Sequence, residues 1–176
     1  MKKQDFILET KRLVLREIMV KDAEVMFDLN SDSEVIKYTG DDSFKSVSEA
    51  KYFLEKYSDY QRNGCGRWAV ILKSENRVLG WCGLKKRDDG VIDLGFRFFK
   101  KDWGKGYATE AAEGCLKLGF NQLGMTEVIG QAAVANTGSI RVLEKLNMKY
   151  WKLETDQNGL EESVIYRINK MNYLEL

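Results

Sequence analysis

The 176-residue chain contains no histidine, and this absence excludes several classes of enzyme. Ser-His-Asp and Cys-His catalysis both need an imidazole, and so does a histidine-ligated metal centre. The general base used most often near pH 7 is therefore missing as well. Proline is also absent, so we expect the turns to depend on glycine, asparagine and aspartate.

Cysteine is scarce. Cys65, Cys82 and Cys115 lie far apart in the sequence and form no Cys-x-x-Cys pair. The spacing therefore predicts neither a zinc site nor a disulfide framework. We interpret the three cysteines as buried, reduced thiols of a cytoplasmic protein that carries no metal.

Long apolar runs and an excess of charge are missing too. No apolar run approaches the ~18 residues that a membrane span requires, and the N-terminal lysines are not followed by the apolar core of a signal peptide. With a net charge of +1, the chain has no overall field that would attract nucleic acid or a membrane. The length and the 44% of hydrophobic residues predict a single domain over residues 1–176.

Hydrophobic periodicity and turn signals predict an α+β fold. The turn Asp88-Asp89-Gly90 separates two apolar runs and is typical of a hairpin, so the strands around it should be antiparallel neighbours. The element order is β-α-α-β-β-β-α-β-α-β-β, which favours a mixed, mostly antiparallel sheet flanked by helices. We predict strands over 12–16, 68–72, 78–84, 91–98, 127–134, 149–153 and 163–168, and helices over 21–29, 46–61, 105–120 and 137–146.

The most informative stretch is a glycine-spaced loop that runs directly into the helix predicted over 105–120. Gly104 and Gly106 flank Lys105, and such a loop directs several backbone N–H groups at one place. The helix adds the positive end of its macrodipole, so we predict a socket for a phosphate or pyrophosphate. The P-loop pattern GxxxxGK[ST] is absent. The dinucleotide fingerprint is incomplete, because Thr109 takes the place of its third small residue.

This loop resembles the coenzyme A pyrophosphate loop of the GNAT superfamily of N-acetyltransferases, Gln/Arg-x-x-Gly-x-Gly/Ala, with Lys101 in the first place. Segments 9–16, 103–111, 136–139 and 143–148 are similar to the branch that contains the ribosomal-protein N-terminal acetyltransferases. The resemblance covers nearly the whole chain, and the predicted element order matches the superfamily's. It implies an enzyme that moves the acetyl group of acetyl-CoA to a primary amine by direct attack in a ternary complex.

The resemblance also implies where the cofactor binds. Backbone N–H groups from Gly104 to Thr109 would take the pyrophosphate, and the strand edge near Phe96 would pair with the pantetheine arm. In the family that strand is splayed from its neighbour, which exposes an N–H that polarises the thioester carbonyl. The predicted cofactor-binding residues are Phe96, Arg97, Phe98, Lys101, Gly104, Lys105, Gly106, Tyr107, Ala108, Thr109, Asn136, Ser139, Arg141 and Lys145.

The helix predicted over 137–146 leaves alternatives open. Arg141 and Lys145 are four residues apart and share one face, which either meets the adenine-side phosphate or is simply solvated. Asn136 is either a cofactor contact or a helix cap. The tyrosine that many superfamily members use to protonate the departing thiolate would fall at Leu143, so this chain lacks it. Ser139 matches a serine proposed for that role in the ribosomal-protein branch, and its alternative role is helix capping.

Asp93 is the candidate general base, because related sequences often have glutamate before the same apolar-Gly-aromatic pattern. An aspartate with the ordinary pKa of ~3.9 is a poor base unless burial raises that pKa or a water chain relays the proton. The alternative interpretation of Asp93 is a solvated turn residue.

The acceptor amine should bind between the first helices and the last hairpin, and it is either a protein N-terminus or a small molecule. At pH 7 a lysine-type amine of pKa ~10.4 is only about 0.04% neutral, whereas an α-amine of pKa ~7.7–8 is roughly 10–15% neutral and needs less help from a base. Convergent acidic residues would suit a cationic amine, although ordinary solvated loops are the alternative. These acidic residues are Asp41, Asp42, Glu154, Asp156, Glu161 and Glu162.

Two other functions compete with catalysis. One is a non-catalytic acyl-CoA-binding module of the same fold, in which the missing tyrosine reflects lost chemistry. The other is a nucleotide-binding or structural protein. Family habit allows a homodimer, which the sequence itself does not show.

Overall fold

The computed structural model describes residues 6–155 and 162–174. Their strands form one eight-stranded sheet, in the order β1-β2-β3-β4-β5-β6-β8-β7. The strands are β1 Phe6–Glu9, β2 Leu13–Glu17, β3 Arg67–Leu72, β4 Arg77–Lys86, β5 Ile92–Phe98, β6 Glu127–Ala133, β7 Lys149–Thr155 and β8 Glu162–Asn169. The helices are α1 Ala23–Ser31, α2 Ser33–Ile36, α3 Val47–Lys56, α4 Asp59–Asn63, α5 Tyr107–Asn121, α6 Thr137–Lys145 and α7 Lys170–Leu174.

The sheet is antiparallel at every neighbouring pair except β5 and β6, which run parallel. Among the described residues, these two strands are in register only at Asp93 and Ile129. Beyond that pair the strands part, so the last residues of β5 leave an open backbone edge on the side of β6. The predicted α+β fold with a mixed, mostly antiparallel sheet is confirmed.

The two faces of the sheet are covered by different helices. Leu79 and Cys82 of β4 lie in the main core with α5, whereas Val78 and Trp81 pack against the smaller cluster of α1 and α2. The residues of each pair are three positions apart and still share a face, because the register of β4 with β3 shifts between Val78 and Gly80 and interrupts the alternation of side chains. The helix predicted over 105–120 forms as α5, and it buries Ala111, Ala112, Cys115, Leu116 and Phe120 on one face. Small residues on this face let the helix lie close to the sheet.

β4 and β5 approach closely near the open end of β5. Gly80 has a φ of +146°, and a Cβ atom placed there would lie 2.0 Å from the carbonyl oxygen of Arg97. Only glycine adopts this backbone conformation without strain. The position of the end of β5 therefore depends on the absence of a side chain at residue 80.

Three short elements were not predicted: β1, α2 and α7. The single helix predicted over 46–61 was also wrong, because the chain turns to an extended conformation at Tyr57 and forms α3 and α4 instead. The hydroxyl of Tyr57 accepts a hydrogen bond from the N–H of Arg67 at 2.8 Å. The hydroxyl of Tyr60 accepts one from the N–H of Ile18 at 3.0 Å. These tertiary contacts tie both tyrosines to the sheet and override the local helical pattern.

All three cysteines are buried and free, as predicted. The fold nevertheless brings Cys82 and Cys115, which are distant in sequence, to a sulfur–sulfur distance of 3.7 Å between β4 and α5. Burial raises the pKa of the Cys115 thiol, so this group stays protonated at neutral pH. No helix in the described residues has the length and apolar character needed to cross a membrane.

Candidate active site

A cleft of about 540 Å³ lies beyond the point where β5 and β6 part. Four segments line it: the end of β5, the loop that leads into α5 with the first residues of that helix, one face of α6, and α2 with the residues that follow it. Most of the predicted cofactor residues meet in this lining. They are Phe96, Arg97, Phe98, Gly104, Gly106, Tyr107, Ala108, Thr109, Asn136, Ser139, Arg141 and Lys145.

The loop before α5 leaves backbone donors free at the cleft. Gly104 and Gly106 have φ angles of +74° and +80°, the left-handed region that glycine adopts without steric cost. α5 begins at Tyr107, and no side chain among the described residues caps its N-terminus. The first N–H groups of this 15-residue helix therefore have no side-chain acceptor, and they carry the positive end of the helix dipole. This arrangement is suited to binding a phosphate group.

A clamp of polar contacts holds the loop to the turn between β1 and β2. The Glu110 carboxylate accepts hydrogen bonds from the Thr10 hydroxyl at 2.7 Å and from Nε of Arg12 at 2.6 Å. Nη1 of Arg12 donates to the carbonyl oxygen of Lys105 at 3.0 Å, and the guanidinium lies 4.5 Å above the ring of Tyr107. Burial raises the pKa of the Glu110 carboxyl, but the hydrogen bonds from Thr10 and Arg12 outweigh it and hold that pKa below its ordinary value.

A second contact network, also missed from the sequence, lies beneath the loop. The carboxylate of Asp102 is fully buried and accepts two hydrogen bonds from Arg77, at 2.7 and 2.8 Å. Nζ of Lys105 lies 3.2 Å from the same carboxylate. The hydrogen bonds from Arg77 hold the pKa of Asp102 below its ordinary range. Asp102, just before Trp103, is the sequence signal for this network, which anchors the loop from below. The signal is weak because the partner Arg77 lies on a strand that is distant in sequence.

Two of the predicted cofactor residues lie outside the lining of the cleft. The Lys105 amine is bound to Asp102, and the Lys101 amine lies 5.4 Å from the centre of the Phe99 ring. Trp103 does line the cleft, and its indole N–H donates to the carbonyl oxygen of Phe98 at 2.8 Å. The loop is therefore attached to the end of β5 by a tryptophan rather than by its lysines.

α6 combines a structural cap with residues that face the cleft. The side-chain oxygen of Asn136 accepts a hydrogen bond from the N–H of Ser139 at 3.1 Å, which is an N-cap. Asn136 also lines the cleft, so the cap and a cofactor contact are compatible. Ser139 lines the cleft from the first turn of α6 and is not the capping residue. Arg141 and Lys145 are exposed and line the same cleft, as their shared helix face predicted.

Asp93 lies in β5 outside the lining of the cleft. Its carboxylate forms an ion pair with Arg67, which also donates to the carbonyl oxygen of Gly83 at 2.6 Å. Both side chains of the ion pair are largely buried. Neither interpretation from the sequence describes this arrangement, because Asp93 is not a solvated turn residue and its carboxylate is already bound to a guanidinium. The role of general base for Asp93 has no support from this geometry.

The predicted acidic acceptor site does not form among the described residues. Asp41 is paired with Arg97 at 2.5 Å, and Glu154 is paired with Lys152 at 2.5 Å. Asp42 and Glu162 are exposed and lie outside the lining of the cleft, while Asp156 and Glu161 lie outside the described residues. One wall of the cleft consists instead of α2 and the residues after it, Glu34, Val35, Lys37, Tyr38 and Thr39.

Residues 12–149 match the model of the acetyltransferase (GNAT) domain. The chain belongs to the GNAT family. The resemblance found in the sequence is therefore confirmed, and the protein is an acyltransferase.

Individual GNAT relatives agree with this assignment. The chain is 32% identical over 145 residues to p20, an uncharacterised N-acetyltransferase of Bacillus licheniformis, covering 81% of this chain and 82% of p20. The structure of a GNAT-family acetyltransferase from Bacillus anthracis is similar with a TM-score of 0.81 and 29% identity, covering 93% of this chain and 98% of that one. A spermidine N-acetyltransferase from Vibrio cholerae, solved with CoA and spermine, has a TM-score of 0.79 over 93% of this chain and 98% of its own. Its identity of 18% shows a shared fold.

Proposed function

We propose that this GNAT protein transfers the acetyl group of acetyl-CoA to a primary amine by direct attack in a ternary complex. One observation carries the proposal: the uncapped N-terminus of α5 and its glycine loop face a cleft that opens where β5 and β6 part. Anion-binding donors and a free strand edge then border one cavity, which suits a ligand with a pyrophosphate at one end and a peptide-like arm at the other. The Vibrio cholerae relative, solved with CoA, supports the same ligand.

Each part of the cofactor has a place in this arrangement. The pyrophosphate meets the N–H groups of residues 104–109, where glycine allows close approach. The pantetheine arm pairs with the open edge of β5 as an added strand. Arg141 and Lys145 on α6 offer cations to the phosphate on the adenine side.

The reaction needs no covalent enzyme intermediate. The amine nitrogen attacks the thioester carbonyl carbon, the N–C bond forms, and the C–S bond breaks to release coenzyme A thiolate. A backbone N–H at the open end of β5 polarises the carbonyl oxygen as negative charge develops on it. Alignment of the two substrates supplies up to about 7–11 kcal/mol of the barrier reduction. The amine proton leaves to solvent, which suits an acceptor whose amine is partly neutral.

The proposal is tested by calorimetric titration with coenzyme A and by thiol release from acetyl-CoA with a panel of amines. The panel contains N-terminal peptides, polyamines, aminoglycosides and amino acids, and reactions without amine give the hydrolysis background. We expect coenzyme A binding and amine-dependent thiol release, with an acetylated amine as product. Binding without thiol release from any amine would favour the non-catalytic acyl-CoA-binding module. No binding at all would exclude both acyl-CoA functions.

Ser139 is expected to contribute moderately to turnover. Its hydroxyl lines the cleft and can donate a hydrogen bond to the departing thiolate, so Ser139→Ala should lower kcat by about 2- to 10-fold. Steady-state kinetics with the best amine of the panel measures this change. Ser31→Ala in α1 is the control, because the Ser31 hydroxyl bonds to the carbonyl oxygen of Phe27 at 2.8 Å on an exposed surface. Unchanged catalytic constants for Ser139→Ala would remove Ser139 from the mechanism.

A further inference from the structure

Arg97 is a buried cation in the lining of the cleft. It lies near the end of β5, next to the open edge proposed to hold the thioester. Its side chain is 8% exposed, and its guanidinium lies 5.3 Å above the ring of Trp81. A guanidinium at this depth is costly unless it is paired, so its partners carry information about the ligand.

The pairing of Arg97 is asymmetric. Nη1 donates to the side-chain oxygen of Asn30, and Nη2 donates to the Asp41 carboxylate at 2.5 Å. The Asp41 side chain is 57% exposed and belongs to residues 40–44, which form neither helix nor strand. The cation is therefore held firmly by Trp81 and Asn30, whereas its anionic partner sits at the surface on an irregular segment.

From this asymmetry we propose that Arg97 selects acceptor amines that carry a carboxylate a few bonds from the nucleophilic nitrogen, an amino acid being the simplest case. The acceptor carboxylate takes the place of Asp41 on the guanidinium. The exchange keeps Arg97 paired, and the released Asp41 side chain is solvated at little cost. Arginine suits this role because its planar fork binds a carboxylate through two hydrogen bonds. This inference rests on the proposed acetyl transfer to an amine.

The other charges on this wall disfavour a polycationic acceptor. Among the described residues of the wall, the Glu34 carboxylate lies 3.4 Å from Nζ of Lys100, and the Lys37 amine lies 5.3 Å from the centre of the Tyr38 ring. The carboxylates of Glu34 and Asp41 are thus both engaged with cations already. A polyamine would have to displace Lys100 or Arg97 to find a partner, whereas a carboxylate displaces the exposed Asp41 side chain from an arginine that is already in position.

The test compares kcat/KM for alanine with kcat/KM for alaninamide, which lacks the carboxylate. The two amines differ in basicity, and this difference affects the alanine-to-alaninamide ratio of kcat/KM equally in every variant. The informative quantity is therefore a quotient, the ratio of the wild type divided by the ratio of the variant, in which the difference in basicity cancels. For Arg97→Gln we expect this quotient to be on the order of 10 to 100, because charged hydrogen bonds to the carboxylate are lost. For Arg62→Gln, an exposed arginine of α4 outside the cleft, we expect a quotient of about 1.

Asp41→Asn should change the alanine-to-alaninamide ratio in the direction opposite to Arg97→Gln. This second variant keeps the inference testable if Arg97→Gln fails to fold. It removes the anion that competes for Arg97, so the alanine-to-alaninamide ratio should rise above that of the wild type. A quotient of about 1 for Arg97→Gln, or a lower ratio for Asp41→Asn, would overturn the inference. Thiol release with peptides or polyamines but not with amino acids would also overturn it and would leave the proposed acetyl transfer intact. Coenzyme A binding without thiol release from any amine would overturn both.

Discussion

Gly106→Ala is expected to weaken coenzyme A binding by about 5- to 30-fold, because the loop then disfavours the conformation that presents its N–H groups. At a φ of +80°, a residue with a Cβ atom costs about 1–2 kcal/mol, so the binding-competent conformation becomes a minor population. Space is not the obstacle, since the nearest atom to an added Cβ is Nη2 of Arg12 at 3.4 Å. The loss is therefore conformational. Calorimetric titration with coenzyme A measures it.

Gly90→Ala is the matched control for this experiment. Gly90 has a φ of +85° in the turn between β4 and β5, and an added Cβ would meet nothing within 4 Å. Both variants should lower the free energy of unfolding by a similar amount, but only Gly106→Ala should lower the affinity for coenzyme A. Equal coenzyme A affinities in the two variants would show that the loop before α5 does not bind the pyrophosphate.

Asp102→Asn is expected to lower the free energy of unfolding by about 3 kcal/mol and the Tm by about 6–12 °C. The asparagine is the same size as the aspartate, but it removes the buried charge that Arg77 and Lys105 face. Its amide also turns a donor towards the donors of Arg77, which leaves that guanidinium poorly paired. Thermal and urea unfolding at pH 7 measure the loss. Asp89→Asn is the control, because Asp89 forms a 3.7 Å surface pair with Arg87 and should change stability by less than about 0.5 kcal/mol.

The cost of Asp102→Asn should depend on pH. Arg77 lowers the pKa of Asp102 from its ordinary value of 3.8, so the carboxylate stabilises the fold above pH 3.8. This contribution is lost as the pH falls through the lowered pKa of the folded state, where the wild type also becomes neutral at residue 102. The stability difference between wild type and variant should therefore be constant near neutral pH and shrink below pH 3.8. A difference that stays the same at low pH would contradict the ion-pair account.

Together, the two anchors hold in place the exposed loop that we propose to bind the pyrophosphate. Glu110 ties its helical end to the turn between β1 and β2, and Asp102 ties its start to β4. A ligand then meets donors that are already ordered, so less conformational entropy is lost on binding. Coenzyme A affinity in Asp102→Asn would report how much of this order the lower anchor supplies.

The sequence predicted the elements whose patterns are local and strong. α5 was recognisable from its hydrophobic periodicity, and the β4–β5 hairpin from Asp89-Gly90. The break between α3 and α4 was not recognisable, because it depends on hydrogen bonds that the Tyr57 and Tyr60 hydroxyls accept from the N–H groups of Arg67 and Ile18, which are distant in sequence. β1 and α2 were missed because four-residue elements carry too few residues to show a period.

Within the site, the sequence by itself identified the backbone that we propose to bind the anion, because a glycine-spaced loop that runs into a helix is a local feature. It could not determine which charges are free and which are already paired. Only the tertiary structure placed Arg67 on Asp93, Arg77 on Asp102 and Asp41 on Arg97. Side chains far apart in the chain meet only after the strands pair and the helices pack. The pairing of these charges is therefore a property of the folded chain, while the loop of Gly104 and Gly106 is already visible in the sequence.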